Sequence, residues 1–263
     1  MNKYLFYRVT SKTNEKPRVA GFTKFRCLEN LLKTFSGFRV VCLADNCDLE
    51  ALALLRAKNF YRLIETSLGN AGSFRYLLVE ELSLVDDEDL IYFVEDDYIH
   101  TSDAPKLLEE GLREFDYVTL YDHPDKYGNF GRRRNPFVPC GQLSEHCQLI
   151  RLENQIWRTT NSTTMTFASY ARTIRRDQKV WLYFSSDTLA PKDFHAWITL
   201  TKQNPFALKE WRLKWFVISL AAHVKRLGVC PRKLGLPLRS AAAHLEKDML
   251  PPGAEEIFTT LEG

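Results

Sequence analysis

At 263 residues, 45% hydrophobic and 26% charged, the chain can bury a substantial core and is too apolar to be disordered along its length. A net charge of +3 and a pI near 8.4 are too weakly basic to make nucleic-acid binding the default, yet they suit an anionic ligand. Six cysteines without a C-x-x-C pair argue against a zinc ribbon; with no apolar leader and no apolar run of about 20 residues, reduced thiols and a cytoplasmic location are expected.

The pattern predicts a strand over 4–10, an amphipathic helix over 25–35 and a second strand over 38–44 that ends in Asp45 and Asn46. Asp48 stands at the cap position of a helix over 49–58, and 61–66 reads as a third strand. The small-residue stretch Leu68-Gly69-Asn70-Ala71-Gly72-Ser73 opens a helix reaching about 84. Backbone amides there suit a diphosphate; the alternative is an ordinary helix-entry turn. Asp86-Asp87-Glu88-Asp89 reads as a solvated acidic turn. Next come Leu90-Ile91-Tyr92-Phe93-Val94, the profile of a strand buried on both faces, running directly into Glu95, Asp96 and Asp97. Three carboxylates at the end of a buried strand require a cation, a hydrogen-bonded loop or solvent, and a divalent metal is the favoured reading.

A helix over 104–115 and a strand over 117–121 continue the alternation. This order predicts a mostly parallel sheet with helices on both faces and a ligand at the carboxyl ends of the strands, where Asp45, the glycine stretch and residues 95–97 all fall. Residues 122–141, rich in Pro, Gly and charge and carrying Arg132, Arg133 and Arg134, read as a loop over the site. Short β patterns at 147–151, 156–160 and 163–167 predict hairpins or an antiparallel addition, and a helix begins over 169–176. Residues 181–187 form a short apolar segment before a turn. A helix starting at Pro191 or Lys192 carries Asp193 in its first turn, where the helix dipole alone would favour a carboxylate. A longer helix over 207–227 carries a Trp211, Trp215, Ile218, Ala222 stripe read as core, and the tail from 233 onward is expected to wrap back over the domain.

Three segments resemble, in their order and spacing, family 2-like glycosyltransferases of the GT-A fold. Glu95-Asp96-Asp97 stands in the place of the family's D-x-D metal motif, and Leu68-Gly69-Asn70-Ala71-Gly72 precedes it. Asp193-Phe194-His195-Ala196-Trp197 is similar to the family's E-D-[YF]-x-x-W segment, with Lys192 where an acid would stand before the Asp. The resemblance covers about 4–200. It implies a GT-A-like (Rossmann-related) α/β fold: a mostly parallel sheet flanked by helices, a small antiparallel addition and a helical C-terminal extension. Residues 1–205 would form the catalytic domain, its nucleotide-sugar half about 1–100 and its acceptor half about 101–205, with 206–263 a helix and tail packed on it.

The implied activity is metal-dependent transfer of a hexose or pentose, with inversion, from a nucleotide-diphosphate donor, a UDP-sugar by expectation, to a hydroxyl acceptor. Mn²⁺ or Mg²⁺ would be held by Asp97 first and Glu95 second, with Asp96 near the sugar or ribose. Asp45 would meet the nucleobase or ribose, its alternative being a helix-capping turn. Asn46, Gly69, Asn70, Gly72 and Arg75 complete the implied nucleotide-sugar side. Asp193 resembles the general base that deprotonates the acceptor, and Asp187 competes for that role. His244, within Ser240-x-x-x-His244-x-Glu246, is either a further metal ligand or a surface or core histidine. His100 and His195 are weaker candidates.

Other classes remain open at this level. A nucleotidyltransferase has a similar sheet, but its glycine- and basic-rich phosphate loop is not visible after the first strand. A nucleic-acid-binding or DNA-modifying protein would grip phosphates with Arg132, Arg133, Arg134, Arg172, Arg175 and Arg176, and a transferase could act on a polyanionic acceptor such as DNA or a charged glycan. A catalytically silent lectin-like module is the third option.

Overall fold

Strands apolar on both faces are satisfied only in the middle of a sheet covered by helices on each side, and that is where three of the predicted strands lie. The computed structural model describes residues 1–12, 19, 21–127, 135–138, 145, 147–186, 190–207, 213–225 and 230–262. Strands β1 (Lys3–Val9), β2 (Arg39–Asp45), β3 (Arg62–Thr66) and β4 (Leu90–Glu95) form a parallel set in the order β3-β2-β1-β4. The nine-stranded sheet continues past β4 through β9 (Phe167–Tyr170), β6 (Tyr117–Val118), β10 (Leu234–Pro237), β8 (Ile156–Thr160) and β7 (Leu149–Arg151). Only β9 and β8 oppose the common direction. A separate antiparallel ribbon pairs β5 (Tyr98–His100) with β11 (Ala242–His244). The expected architecture, a mostly parallel sheet with a small antiparallel addition, is the one observed.

Alternation along the strands builds two apolar layers. Leu5, Tyr7, Tyr92 and Val94 pack with helices α1 (Lys24–Thr34), α2 (Leu49–Arg56) and α4 (Ala104–Gly111) through Leu28, Leu31, Leu55, Leu107 and Leu108. On the other face, Phe6, Ile91 and Phe93 pack with α3 (Gly69–Tyr76), α5 (Ala171–Phe184) and α6 (Asp193–Thr201) through Phe74, Ile174, Trp181 and Trp197. Asp48 caps α2 as expected, accepting from Ala51 N at 2.8 Å.

Several expectations change. No helix breaker separates 171 from 184, so α5 runs unbroken and the apolar segment expected from 181 onward joins it, with Trp181 buried against the sheet. The strand expected over 163–167 is displaced to β9, because Thr163, Thr164 and Thr166 spend their hydroxyls as cross-links to Thr119, Tyr98 and the Glu95 amide. Beyond 233 the chain does not merely cover the domain: β10 inserts between β6 and β8. Gly235 permits this, since a Cβ there would lie 2.3 Å from the Phe115 ring. The acidic turn is not fully solvated either. Asp89 is 1% exposed and accepts from the amides of Asn2 and Asp86. In α7 (Leu213–Lys225), of the stripe expected as core only Ala222 is fully buried; Trp215 and Ile218 are half-buried and Trp211 lies outside the described residues. The described cysteines are free thiols, Cys27 and Cys42 buried but Cys147 and Cys230 exposed; Cys140 lies outside the described residues.

Candidate functional site

The carboxyl ends of β1, β2 and β4 open into a cleft of about 650 Å³. Its chemistry follows from strand register. Arg8 on β1 is the partner of Glu95 on β4, so a guanidinium and a carboxylate meet at the sheet's edge, Nη2 to Oε1 at 3.0 Å. Nη1 of Arg8 reaches the Asn70 carbonyl and side-chain oxygens at 2.9 and 2.7 Å, tying α3 to the strand. Asp96, 8% exposed, accepts from the Thr10 amide at 3.0 Å and pairs with Lys24 Nζ of α1 at 2.7 Å. The β5–β11 ribbon sets His244 opposite Tyr98, one residue past Asp97, and His244 Nε2 lies 3.1 Å from Asp97 Oδ2. Each carboxylate of the triplet therefore has its own basic partner, drawn from three different parts of the chain.

Burial dominates the electrostatics. It pushes the Glu95 carboxyl up to about 7 against the pull of Arg8, with Asp97 adding to the rise. Burial and the neighbouring Asp97 also raise Asp96 against Lys24. For His244 burial acts downward, but the charge and hydrogen bond of Asp97, with Glu95 and Glu246, outweigh it and the net shift is upward.

The glycine stretch is organised by Asp45. Asp45 accepts from Leu68 N at 2.6 Å, from Gly69 N at 3.0 Å, from Thr66 Oγ1 at 3.0 Å and from Asn46 Nδ2 at 2.7 Å. Of the amides in the stretch expected to receive a diphosphate, those of Leu68 and Gly69 are taken by this carboxylate. Gly69 takes φ +77 to allow the turn, and Gly72 packs so closely on Leu68 that a Cβ would come within 2.8 Å. Asp45, Asn46, Gly69 and Asn70 still line the cleft, but the oxygens of Asp45 face its own loop.

Arg75 does not reach the cleft. It donates to the Leu182 carbonyl of α5 at 2.9 Å, one helical face away. Asp96, expected near the sugar, is tied to Thr10 and Lys24. His100 and His195 are packing residues: burial lowers them to about 3 and about 4, His100 bonding the Tyr92 hydroxyl and His195 lying against the Trp215 ring. Arg172 and Arg175 pair with Glu88 and Asp87 at the surface and Arg176 is exposed; Arg132, Arg133 and Arg134 lie outside the described residues. Asp187 also lies outside them. Asp193 opens α6, accepting from the Phe194 amide at 2.6 Å, and burial raises it to about 6, with His123 acting downward and Asp125 upward. Its charge also helps raise Glu95, although it does not line the cleft.

Three cationic residues were missed in the sequence. Arg8, Lys12 and Lys24 line the cleft, and the signal for Arg8 was an arginine inside an otherwise apolar strand. Among the described residues no group of three or more His, Cys, Asp or Glu side chains could hold a metal ion, so the expected Asp97, Glu95 and His244 set does not form; Glu95 faces Arg8. Asp97 and His244 remain as a pair, a carboxylate oxygen and an imidazole nitrogen 3.1 Å apart, both donor types that a divalent cation accepts.

No protein-family model matches the chain, and no curated protein does. Solved structures with related folds include TarS 1–349 of S. aureus, 13% identical over 87% of this chain and 75% of that one, TM-score 0.42. The galactosyltransferase LgtC, in complex with donor and acceptor sugar analogues, is 9% identical over 98% and 95%, TM-score 0.43. The inositol-1-phosphate CTP transferase of T. maritima is 12% identical over 100% and 97%, TM-score 0.43. None of these three scores reaches 0.5, so the activity is argued from this chain's own cleft.

Proposed function

We propose that the chain is a glycosyltransferase that moves a sugar, with inversion, from a nucleotide-diphosphate donor, a UDP-sugar by preference, to a hydroxyl acceptor. The observation that carries this reading is the Asp97–His244 pair at the carboxyl end of β4, inside a cleft whose lining counts five carboxylates against three permanently charged cations. Such a cleft offers a diphosphate little uncompensated positive charge unless a further cation enters with it. A Mn²⁺ or Mg²⁺ ion would meet that need, and Asp97 and His244 would hold it. When bound, the ion supplies neutralisation of the charge that develops on the departing diphosphate.

The chain's own residues do the rest. Arg8 keeps Glu95 and Asn70 in place at the floor of the cleft. Asp45 holds the Gly69 turn that shapes its nucleotide side. Lys12 and Lys24 add positive charge along the rim. Asp193, at about 6, is ionised at neutral pH and can accept the acceptor hydroxyl's proton as the nucleophile attacks from the face opposite the leaving group. Thermal unfolding with nucleotide diphosphates, nucleotide sugars and Mn²⁺ tests the assignment. Stabilisation by one nucleotide sugar that needs the metal and is lost in Asp97→Ala is expected. Stabilisation by a nucleoside triphosphate with pyrophosphate release from a sugar phosphate would instead identify a nucleotidyltransferase.

A further inference from the structure

The outward face of α7 is apolar. Its exposed residues are Leu213, Lys214, Val217, Leu220, Val224 and Lys225: four aliphatic side chains, two lysines and no acid. At about 100° per residue, the i, i+4, i+7, i+11 spacing places the four aliphatics within an arc of roughly 60° along roughly 17 Å of helix. Both lysines fall on one flank of that arc. The inner face is already covered: Ser219 and Ala222 are buried, and Trp215 packs on Phe194 and His195 of α6 with ring centroids 4.8 and 4.7 Å apart. Phe206, in the turn Pro205–Ala207 ahead of the helix, is 80% exposed and its ring lies 5.7 Å from that of Phe216, extending the apolar surface.

A continuous apolar stripe of this length marks an interface, and its charge decides the partner. A second copy docked through the same stripe would bring lysine flanks together without offering an acid from the exposed face of either helix. An anionic bilayer satisfies both features, since the aliphatic stripe enters the acyl boundary while lysine stems lie along it and their ammonium groups reach the phosphates. We propose that α7 is an in-plane anchor that holds the protein on an anionic phospholipid surface. It does not span: no helix among the described residues is long and apolar enough to cross a membrane. The anchoring is independent of the reaction assigned to the cleft.

Co-sedimentation of the full chain with vesicles tests this directly. Binding to phosphatidylcholine–phosphatidylglycerol vesicles is expected to exceed binding to phosphatidylcholine alone by at least about tenfold, and to weaken at raised salt. Val217→Glu combined with Val224→Glu should weaken it at least about tenfold, and Lys214→Glu with Lys225→Glu should remove the anionic preference. Leu49→Glu, at a leucine 82% exposed on α2, should leave binding unchanged. All these positions are exposed, so an unchanged melting temperature is expected and checks folding. Equal binding by the Val217, Val224 variant and the unaltered chain, or no vesicle binding at all, overturns the proposal. So does a concentration-dependent dimer in vesicle-free sedimentation that the same variant abolishes, which would assign the stripe to a second copy.

Discussion

Two acidic runs bracket the same strand. Asp86-Asp87-Glu88-Asp89 precedes β4 and Glu95-Asp96-Asp97 ends it, similar in composition and separated only by five apolar residues. The first run is neutralised cheaply at the surface: Glu88 and Asp87 meet Arg172 and Arg175, and Asp89 turns inward to accept from the amides of Asn2 and Asp86. The second run meets Arg8, Lys24 and His244 at the sheet's carboxyl edge, where Asp96 is buried and Glu95 is lifted to about 7. The difference teaches that acid content does not make a site. What does is the end of the sheet, because the loops that follow parallel strands all converge at their carboxyl ends.

The contrast can be broken most sharply at Asp97. Asp97→Asn is expected to lower sugar transfer by roughly 10²–10³-fold, while Asp87→Asn leaves it within about twofold; comparable steady-state rates for the two variants would erase the distinction. Arg8→Met should leave Glu95 without its cation and cost about 2–3 kcal/mol in urea unfolding, less than a fully enclosed pair because Glu95 retains some exposure. Adding Glu95→Gln should recover part of that loss.

Acid titration sharpens the same point. Glu95 rises from an ordinary 4.5 to about 7 on folding, so the folded state holds its proton more tightly than the unfolded chain. Stability from this group is present below about 4.5 and is lost as pH rises to about 7; in metal-free buffer, Glu95→Gln should flatten that fall. With Asp193 as base, kcat/KM should rise with unit slope below about 6 and level above it, and a profile flat through pH 6 would remove Asp193 from the role. Gly69→Ala meets no atom within 4 Å, so only its φ of +77 resists, at about 1 kcal/mol by thermal unfolding. The smallest effect belongs to the surface end: Arg172→Ala should cost no more than about 0.5 kcal/mol.

Much of the frame was legible. Period-two and fully apolar runs placed β1 to β4, Asp48 marked the start of α2, and the acids at 95–97 pointed to the sheet edge where the cleft opens. Less legible was the use of each polar group. Asp45 looked available to a ligand and is spent on Leu68 and Gly69; Arg75 looked adjacent to the cleft and bonds α5. Helix periodicity tells which residues share a face, but not which neighbour a long side chain will reach.

By itself, the sequence determined the alternation of strands and helices and the concentration of carboxylate after β4, since both are local patterns of side-chain type. Only the tertiary structure decided that Arg8 would stand in register with Glu95, that Lys24 would neutralise Asp96, and that β11 would pair with β5 and deliver His244 to Asp97. The physical reason is that a buried charge must be matched by whatever cation the fold brings near it, and nearness between distant segments is set by strand pairing rather than by either segment's own composition.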